Sequence, residues 1–176
     1  AKANELKVGD ALEPASKIGP AVSREQLEQN LSYVEIAIKE GGNLRAGGER
    51  LKLEKPGHYM SPAVIADTTQ SMRINCEEVF GPVASLVRAK DYDEALAIAN
   101  AGEFGLSAGI CTRSLKYAYH FQRHVRAGMV MVNLPTAGVD YHVPFGGSRK
   151  SSYGAREQGF AAIEFYTSTK TAYVLA

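Results

Sequence analysis

The sequence has two cysteines in 176 residues, which excludes a disulfide framework and fits a reducing compartment. Cys76 stands just before two glutamates, Cys111 falls inside an apolar segment, and no His or Lys flanks either. Both therefore read as structural thiols. No apolar run approaches the roughly 18 residues of a membrane helix, and the opening AKANELKVGD holds no secretory apolar core. A cytoplasmic chain without a membrane partner is expected. An excess of one charge is missing too: 20 Lys and Arg are mixed among 19 Asp and Glu, so no polyanion-binding face forms and no nucleic-acid partner is expected. No metal site is assigned.

What is present suits one domain with a real core, since 45% of the residues are apolar. Ser23-Arg24-Glu25-Gln26 is a capping box, with Leu27, Leu31, Val34 and Ile38 following at helical spacing until Gly41 and Gly42. Residues 58–66 read as extended, with the Ser61-Pro62 step arguing against a central strand. Strands are expected over 83–88, 106–112 and 129–132. Asp91 caps a helix through Ala95, Ile98 and Ala99, and Ser114 caps one that buries Leu115, Ala118, Phe121 and Val125. This alternation predicts an α/β fold: an open, mostly parallel twisted sheet with flanking helices. Residues 165–174, rich in Thr, Tyr and Val, read as a long terminal strand. Such a strand needs a partner for its backbone, either across a subunit interface or within its own sheet.

The most informative stretch is Glu77-Glu78-Val79-Phe80-Gly81-Pro82-Val83. Gly81 permits close backbone approach or positive φ, Pro82 fixes the turn, and a carboxylate beside them can accept hydrogen bonds from sugar hydroxyls. A charged helix end followed by a turn is the plainer alternative.

Further motifs follow in order: Val8-Gly9-Asp10, Ile18-Gly19-Pro20, Gly47-Gly48, Phe104-Gly105-Leu106, Val132-Asn133, Pro144-Phe145-Gly146-Gly147, Arg156-Glu157-x-Gly159 and Tyr166-Thr167-x-x-Lys170. Together with the Glu-Glu-x-Phe-Gly-Pro stretch they make the chain resemble the C-terminal part of the aldehyde dehydrogenase superfamily over nearly its whole length. The resemblance implies that residues 1–159 are the distal part of a catalytic domain and 160–176 a C-terminal oligomerisation strand of a homodimer or homotetramer. It places the dinucleotide-binding domain and the nucleophilic cysteine, in a Gly-Gln-x-Cys context that neither Cys76 nor Cys111 has, upstream of this chain. The chain alone is then expected to be inactive.

By the same resemblance, Glu78 holds the nicotinamide ribose of NAD or NADP and Phe80 packs against the nicotinamide end, while Glu77 is the weaker candidate. Asn133 opens a loop, 134–145, in which Val139 and Phe145 would line the tunnel for a small-molecule aldehyde. His142 reads as a solvated or loop-stabilising residue rather than a base. The segment Ser148-Arg149-Lys150-Ser151-Ser152-Tyr153-Gly154-Ala155 is one residue longer than the commonest family pattern. Asn133-Leu134-Pro135-Thr136-Ala137-Gly138-Val139-Asp140-Tyr141-His142, together with Ser151-Ser152-Tyr153-Gly154 and Arg156-Glu157-Gln158-Gly159, is most similar to the branch that oxidises α-ketoglutaric semialdehyde (2,5-dioxovalerate). A non-catalytic interaction domain and an acyl phosphate reductase of the same architecture stand as alternatives.

Overall fold

A computed structural model of the protein describes residues 2–138 and 140–176 and divides into two compact units, 1–90 and 91–176. In the first unit a short helix, α1 (Lys2–Glu5), precedes the long α2 (Arg24–Lys39). Ser23 caps α2, its hydroxyl accepting from the Gln26 amide at 3.2 Å, whereas the Gln26 side chain, the expected reciprocal half of the box, turns to Asn30 and Val79 instead. The buried face is Leu27, Asn30, Val34 and Ala37, whereas Ile38 is exposed. Gly41, with φ at 104°, turns the chain out of the helix. At Gly42 a Cβ would lie 2.8 Å from both the Ala37 carbonyl and the Ile65 side chain, so the next strand leaves tightly against the helix.

That strand is β1 (Asn43–Ala46), followed by the short pair β2 (Arg50–Leu51) and β3 (Tyr59–Met60), then β4 (Ala63–Thr68), the one-turn helix α3 (Arg73–Cys76) and β5 (Val83–Val87). The sheet order is β1-β4-β5. β1 runs antiparallel to β4, and β5 parallel to it, with Ala63 opposite Val83 and Ile65 opposite Ser85. The expectation that residues 58–66 avoid a central strand is thus corrected. Pro62 stands one residue before β4, where its missing N–H breaks no ladder bond. Leu27, Val34, Ala37, Met60, Ala63, Ile65 and Ile74 form the core; each fully buried Leu or Ile there contributes about 1.5–3 kcal/mol.

The second unit is a β-α-β crossover with additions. Asp91 caps α4 (Tyr92–Ala101), β6 (Ser107–Ile110) follows, Ser114 caps α5 (Leu115–His124), and β7 (Met129–Val132) pairs parallel with β6 from Ser107↔Met129 to Ile110↔Val132. Ala118, Phe121 and Val125 are buried as expected. Leu115, the first residue of α5, is instead 73% exposed. Asn100 joins the ends of the two helices: its amide donates to the His124 carbonyl (2.9 Å) and accepts from the Arg126 N–H (2.7 Å).

Two further expectations change. Instead of one open sheet, the described strands form a mixed three-stranded sheet, a two-stranded antiparallel pair (β2-β3) and a two-stranded parallel pair (β6-β7). Residues 165–174 do not form a strand in the single chain: Ala161–Tyr166 is a helix, α6, and 167–176 carry no regular element. The Ala-Ala-Ile-Glu start favours helix, and the Thr/Tyr/Val run beyond it finds no backbone within its own unit to pair with.

Candidate functional site

The loop 77–82 joins α3 to β5, and the underlying chemistry separates its two carboxylates. Glu77 is committed. The Arg73 guanidinium, one helical turn earlier, grips it at 2.8 and 2.9 Å, and the Tyr33 hydroxyl donates to it at 2.5 Å. Arg73 first, then Tyr33, hold the Glu77 carboxyl down to about 2, and the same bond raises the Tyr33 hydroxyl above its ordinary value. Glu78 is exposed and has no hydrogen bond or ion pair with any described residue. Its lone pairs are available to a ligand.

Two residues on, Phe80 is 77% exposed with φ at 60°. The positive φ foreseen as one option for Gly81 therefore belongs to Phe80. What Gly81 supplies is close approach, since a Cβ there would lie 2.2, 2.4 and 2.5 Å from the side-chain amide of Asn30, which is 1% exposed. The Gln26 side chain donates to the carbonyls of Val79 (3.1 Å) and Phe80 (3.3 Å), and that of Gln29 reaches Val79 at 3.5 Å. A cavity of about 270 Å³ lies alongside, lined among others by Pro20, Val22, Gln26, Asn30, Phe80 and Pro82.

Gln26, Asn30 and Tyr33 were absent from the sequence-derived site. Their signal was a polar row at i, i+4 and i+7 on α2, with Asn30 in the middle of an otherwise apolar buried face.

In the second unit Asn133 is structural. Its side chain accepts from the Thr112 N–H and donates to the Thr112 carbonyl, both at 2.8 Å, extending the β6-β7 ladder by one rung beyond Val132. Phe145 is half-buried, and its N–H and carbonyl are engaged with Glu157 at 2.6 and 2.9 Å. A cavity of about 330 Å³ is lined by residues that include Met131, Leu134, Pro135, Asp140, Val143 and Pro144. Val139 lies outside the described residues. His142 is exposed with its ring edge-on to Tyr141, which agrees with a loop role.

The longer segment after the Gly146-Gly147 pair is tied back at each step. Gly147 N–H donates to Ser152, Gly105 N–H to Ser151, and Ser148 donates to the Arg126 carbonyl at 3.0 Å. Arg149 lays its guanidinium on the carbonyls of Asn100 and Gly102 at the C-terminal end of α4, where positive charge is favoured.

Both cysteines are free and exposed. Cys76 donates to the Gln70 carbonyl at 3.1 Å, and Cys111 lies just past the end of β6. Among the described residues no cluster of three or more His, Cys, Asp or Glu side chains has metal-binding geometry, and no helix is long and apolar enough to cross a membrane.

A profile described as "Aldehyde dehydrogenase family" matches residues 1–172. The chain belongs to the aldehyde dehydrogenase family. It is 41% identical to an alpha-ketoglutaric semialdehyde dehydrogenase of Bacillus subtilis and 44% identical to an alpha-ketoglutarate semialdehyde dehydrogenase of Haloferax volcanii, in each case over 98% of this chain and 36% of the relative. It is also 43% identical to a betaine aldehyde dehydrogenase of Cereibacter sphaeroides, over 98% of the chain and 35% of the relative. The chain therefore spans about a third of the length of the curated relatives it matches. Among solved structures, an aldehyde dehydrogenase variant from Bacillus cereus superposes with a TM-score of 0.90 at 37% identity, covering 98% of this chain and 34% of that one. A betaine aldehyde dehydrogenase from Staphylococcus aureus in complex with NAD+ gives 0.87 at 29% identity, covering 94% and 33%.

Proposed function

We propose that this aldehyde dehydrogenase chain is the distal part of an NAD(P)-dependent enzyme that oxidises α-ketoglutaric semialdehyde to α-ketoglutarate. The observation that carries the cofactor role is the contrast between Glu77, engaged by Arg73 and Tyr33, and Glu78, which is exposed and without a partner among the described residues, two residues from the open face of Phe80. A carboxylate with free lone pairs suits a ribose diol, and an exposed aromatic face suits a flat ring. NAD(P), when bound, supplies the hydride acceptor. This chain's contribution is placement: Glu78 accepts from the ribose hydroxyls and Phe80 walls the ring, holding the reacting centres within attack distance.

The substrate assignment is supported by two relatives named for α-ketoglutaric or α-ketoglutarate semialdehyde and by the longer 148–155 segment. Betaine aldehyde is the second reading, favoured by the 43% identity to the Cereibacter sphaeroides enzyme. In this account the nucleophilic cysteine lies upstream, so the 176 residues alone do not oxidise aldehydes. Phe145 and Val139 belong to the aldehyde tunnel. Residues 1–159 form the distal catalytic domain, and 160–176 pair with a neighbouring subunit of a cytoplasmic homo-oligomer.

The test is kinetic. The full-length enzyme is assayed with α-ketoglutaric semialdehyde and with betaine aldehyde, and the first is expected to give at least about a tenfold higher kcat/KM, a modest gap for a site recognising a carboxylate over a quaternary ammonium. Equal values, or a preference for betaine aldehyde, would replace the substrate assignment.

A further inference from the structure

The loop that carries Glu78 and Phe80 is held from beneath at three consecutive residues. The Gln26 side-chain nitrogen stands 3.1 Å from the Val79 carbonyl and 3.3 Å from the Phe80 carbonyl, so one amide group bridges two successive peptide units. Between those units Phe80 has a φ of 60°, the left-handed region that a bulky non-glycine residue leaves unless held there. Immediately after, Gly81 presses onto the buried Asn30 amide, and the Val83 N–H closes the turn onto the Gly81 carbonyl at 2.7 Å. The Gln29 side chain reaches the loop at Val79, at 3.5 Å, and is exposed. Gln26 is half-buried, fixed on a helix that is itself anchored in the core, and is the one side chain bonded to the carbonyl of Phe80 among the described residues.

We propose that Gln26 is a positioning residue: acting through the carbonyls of Val79 and Phe80, it sets where the Phe80 ring and the Glu78 carboxylate stand. This rests on the cofactor-loop reading given above. Without the amide fork, the Phe80 carbonyl loses its side-chain partner and Phe80 relaxes toward negative φ. The ring and the carboxylate, on either side of the Val79-Phe80 peptide, then swing away from their common ligand. Direct contact between Gln26 and the cofactor is not required.

The experiment uses the full-length enzyme with Gln26→Glu, which keeps the shape but turns carboxylate lone pairs toward two carbonyls, and Gln26→Met, which removes the donors without adding charge. Each is made alone and together with Glu78→Gln. Three quantities are read: kcat and KM for NAD(P), and hydrogen exchange at the Val83 amide, which closes the turn onto the Gly81 carbonyl. The expected result is about a tenfold loss in kcat/KM for the cofactor, shared between kcat and KM. The loss should shrink to less than about threefold in the Glu78→Gln background, because there is less placement left to lose. Exchange at Val83 should accelerate in both variants. Equal losses in the two backgrounds, or unchanged exchange in Gln26→Met, overturn the proposal and leave Gln26 as an ordinary helix side chain. A Glu78→Gln enzyme with unchanged kinetics overturns the cofactor reading instead. In that case the exchange rates still decide whether Gln26 holds the loop.

Discussion

Replacing Gly81 with alanine probes the close approach on which the loop depends. The added Cβ would lie 2.2 Å from the nearest Asn30 side-chain atom, against the 3.4–4 Å of ordinary contact. Asn30 is 1% exposed and cannot withdraw, so the loop itself has to lift by about 1 Å, breaking the bonds from Gln26 to Val79 and Phe80. Overpacking of this kind costs about 1–3 kcal/mol. Because Gly81 does not have positive φ, alanine returns about 0.4–1 kcal/mol by restricting the unfolded chain. The steric cost wins, and a net destabilisation of about 1–2 kcal/mol is expected in urea unfolding. In the full-length enzyme a displacement of about 1 Å at the cofactor loop should slow hydride transfer in single-turnover experiments by up to about a hundredfold. Adding Asn30→Ala opens the space, so the double variant should lose less stability than the sum of the two single losses. A Gly81→Ala protein with parental stability and hydride-transfer rate, or strictly additive losses, would refute the steric account.

Three more outcomes are expected. The folded Glu77 carboxyl is held at about 2 against an ordinary 4.5, so its stabilising contribution is complete above the unfolded value and is lost as pH falls through the folded one. Carboxyl NMR should therefore show Glu77 titrating near 2, and Glu77→Gln should remove the part of the acid destabilisation that falls between those two values; a Glu77 midpoint near 4.5 would contradict the Arg73–Tyr33 grip. Cys76→Ala and Cys111→Ala should leave aldehyde oxidation by the full-length enzyme unchanged, and a large loss in kcat from either would give that thiol a role not foreseen here. Deleting 165–176 should reduce the oligomer mass seen by light scattering, whereas an unchanged mass and melting temperature would place the interface elsewhere.

Local signals in the sequence located the helix starts well, because a cap is a short-range interaction. Ser23, Asp91 and Ser114 each accept from the amide three residues on. The strands read at 83–88, 106–112 and 129–132 stand at 83–87, 107–110 and 129–132. β4 was obscured by Pro62, whose position one residue before the strand, rather than within it, depends on register. Phe165 and Tyr166, read as strand, instead close α6, and beyond them 167–176 has no regular element in the single chain, since strand propensity describes a surface to be packed against. At the site, the choice of Glu78 over Glu77 came from family likeness. That Glu77 is engaged by Arg73 and Tyr33 while Gln26 holds the loop was invisible in sequence, since Tyr33 lies 44 residues from Glu77 and Gln26 lies 53 residues from Val79. Asn133 was correctly placed at the end of β7, but its amide serves the backbone of Thr112 rather than a ligand.

The central claim is that Glu78 is the ligand-binding carboxylate and Glu77 the scaffold. Calorimetric titration of NAD(P) into the full-length wild type, Glu78→Gln and Glu77→Gln tests it most directly. Glu78→Gln replaces a charge-assisted bond with a neutral one and is expected to weaken binding by about 1–2 kcal/mol, roughly five- to thirtyfold. Glu77→Gln should stay within about twofold of wild type. Unchanged affinity in Glu78→Gln, or an equal or larger loss in Glu77→Gln, would contradict the account.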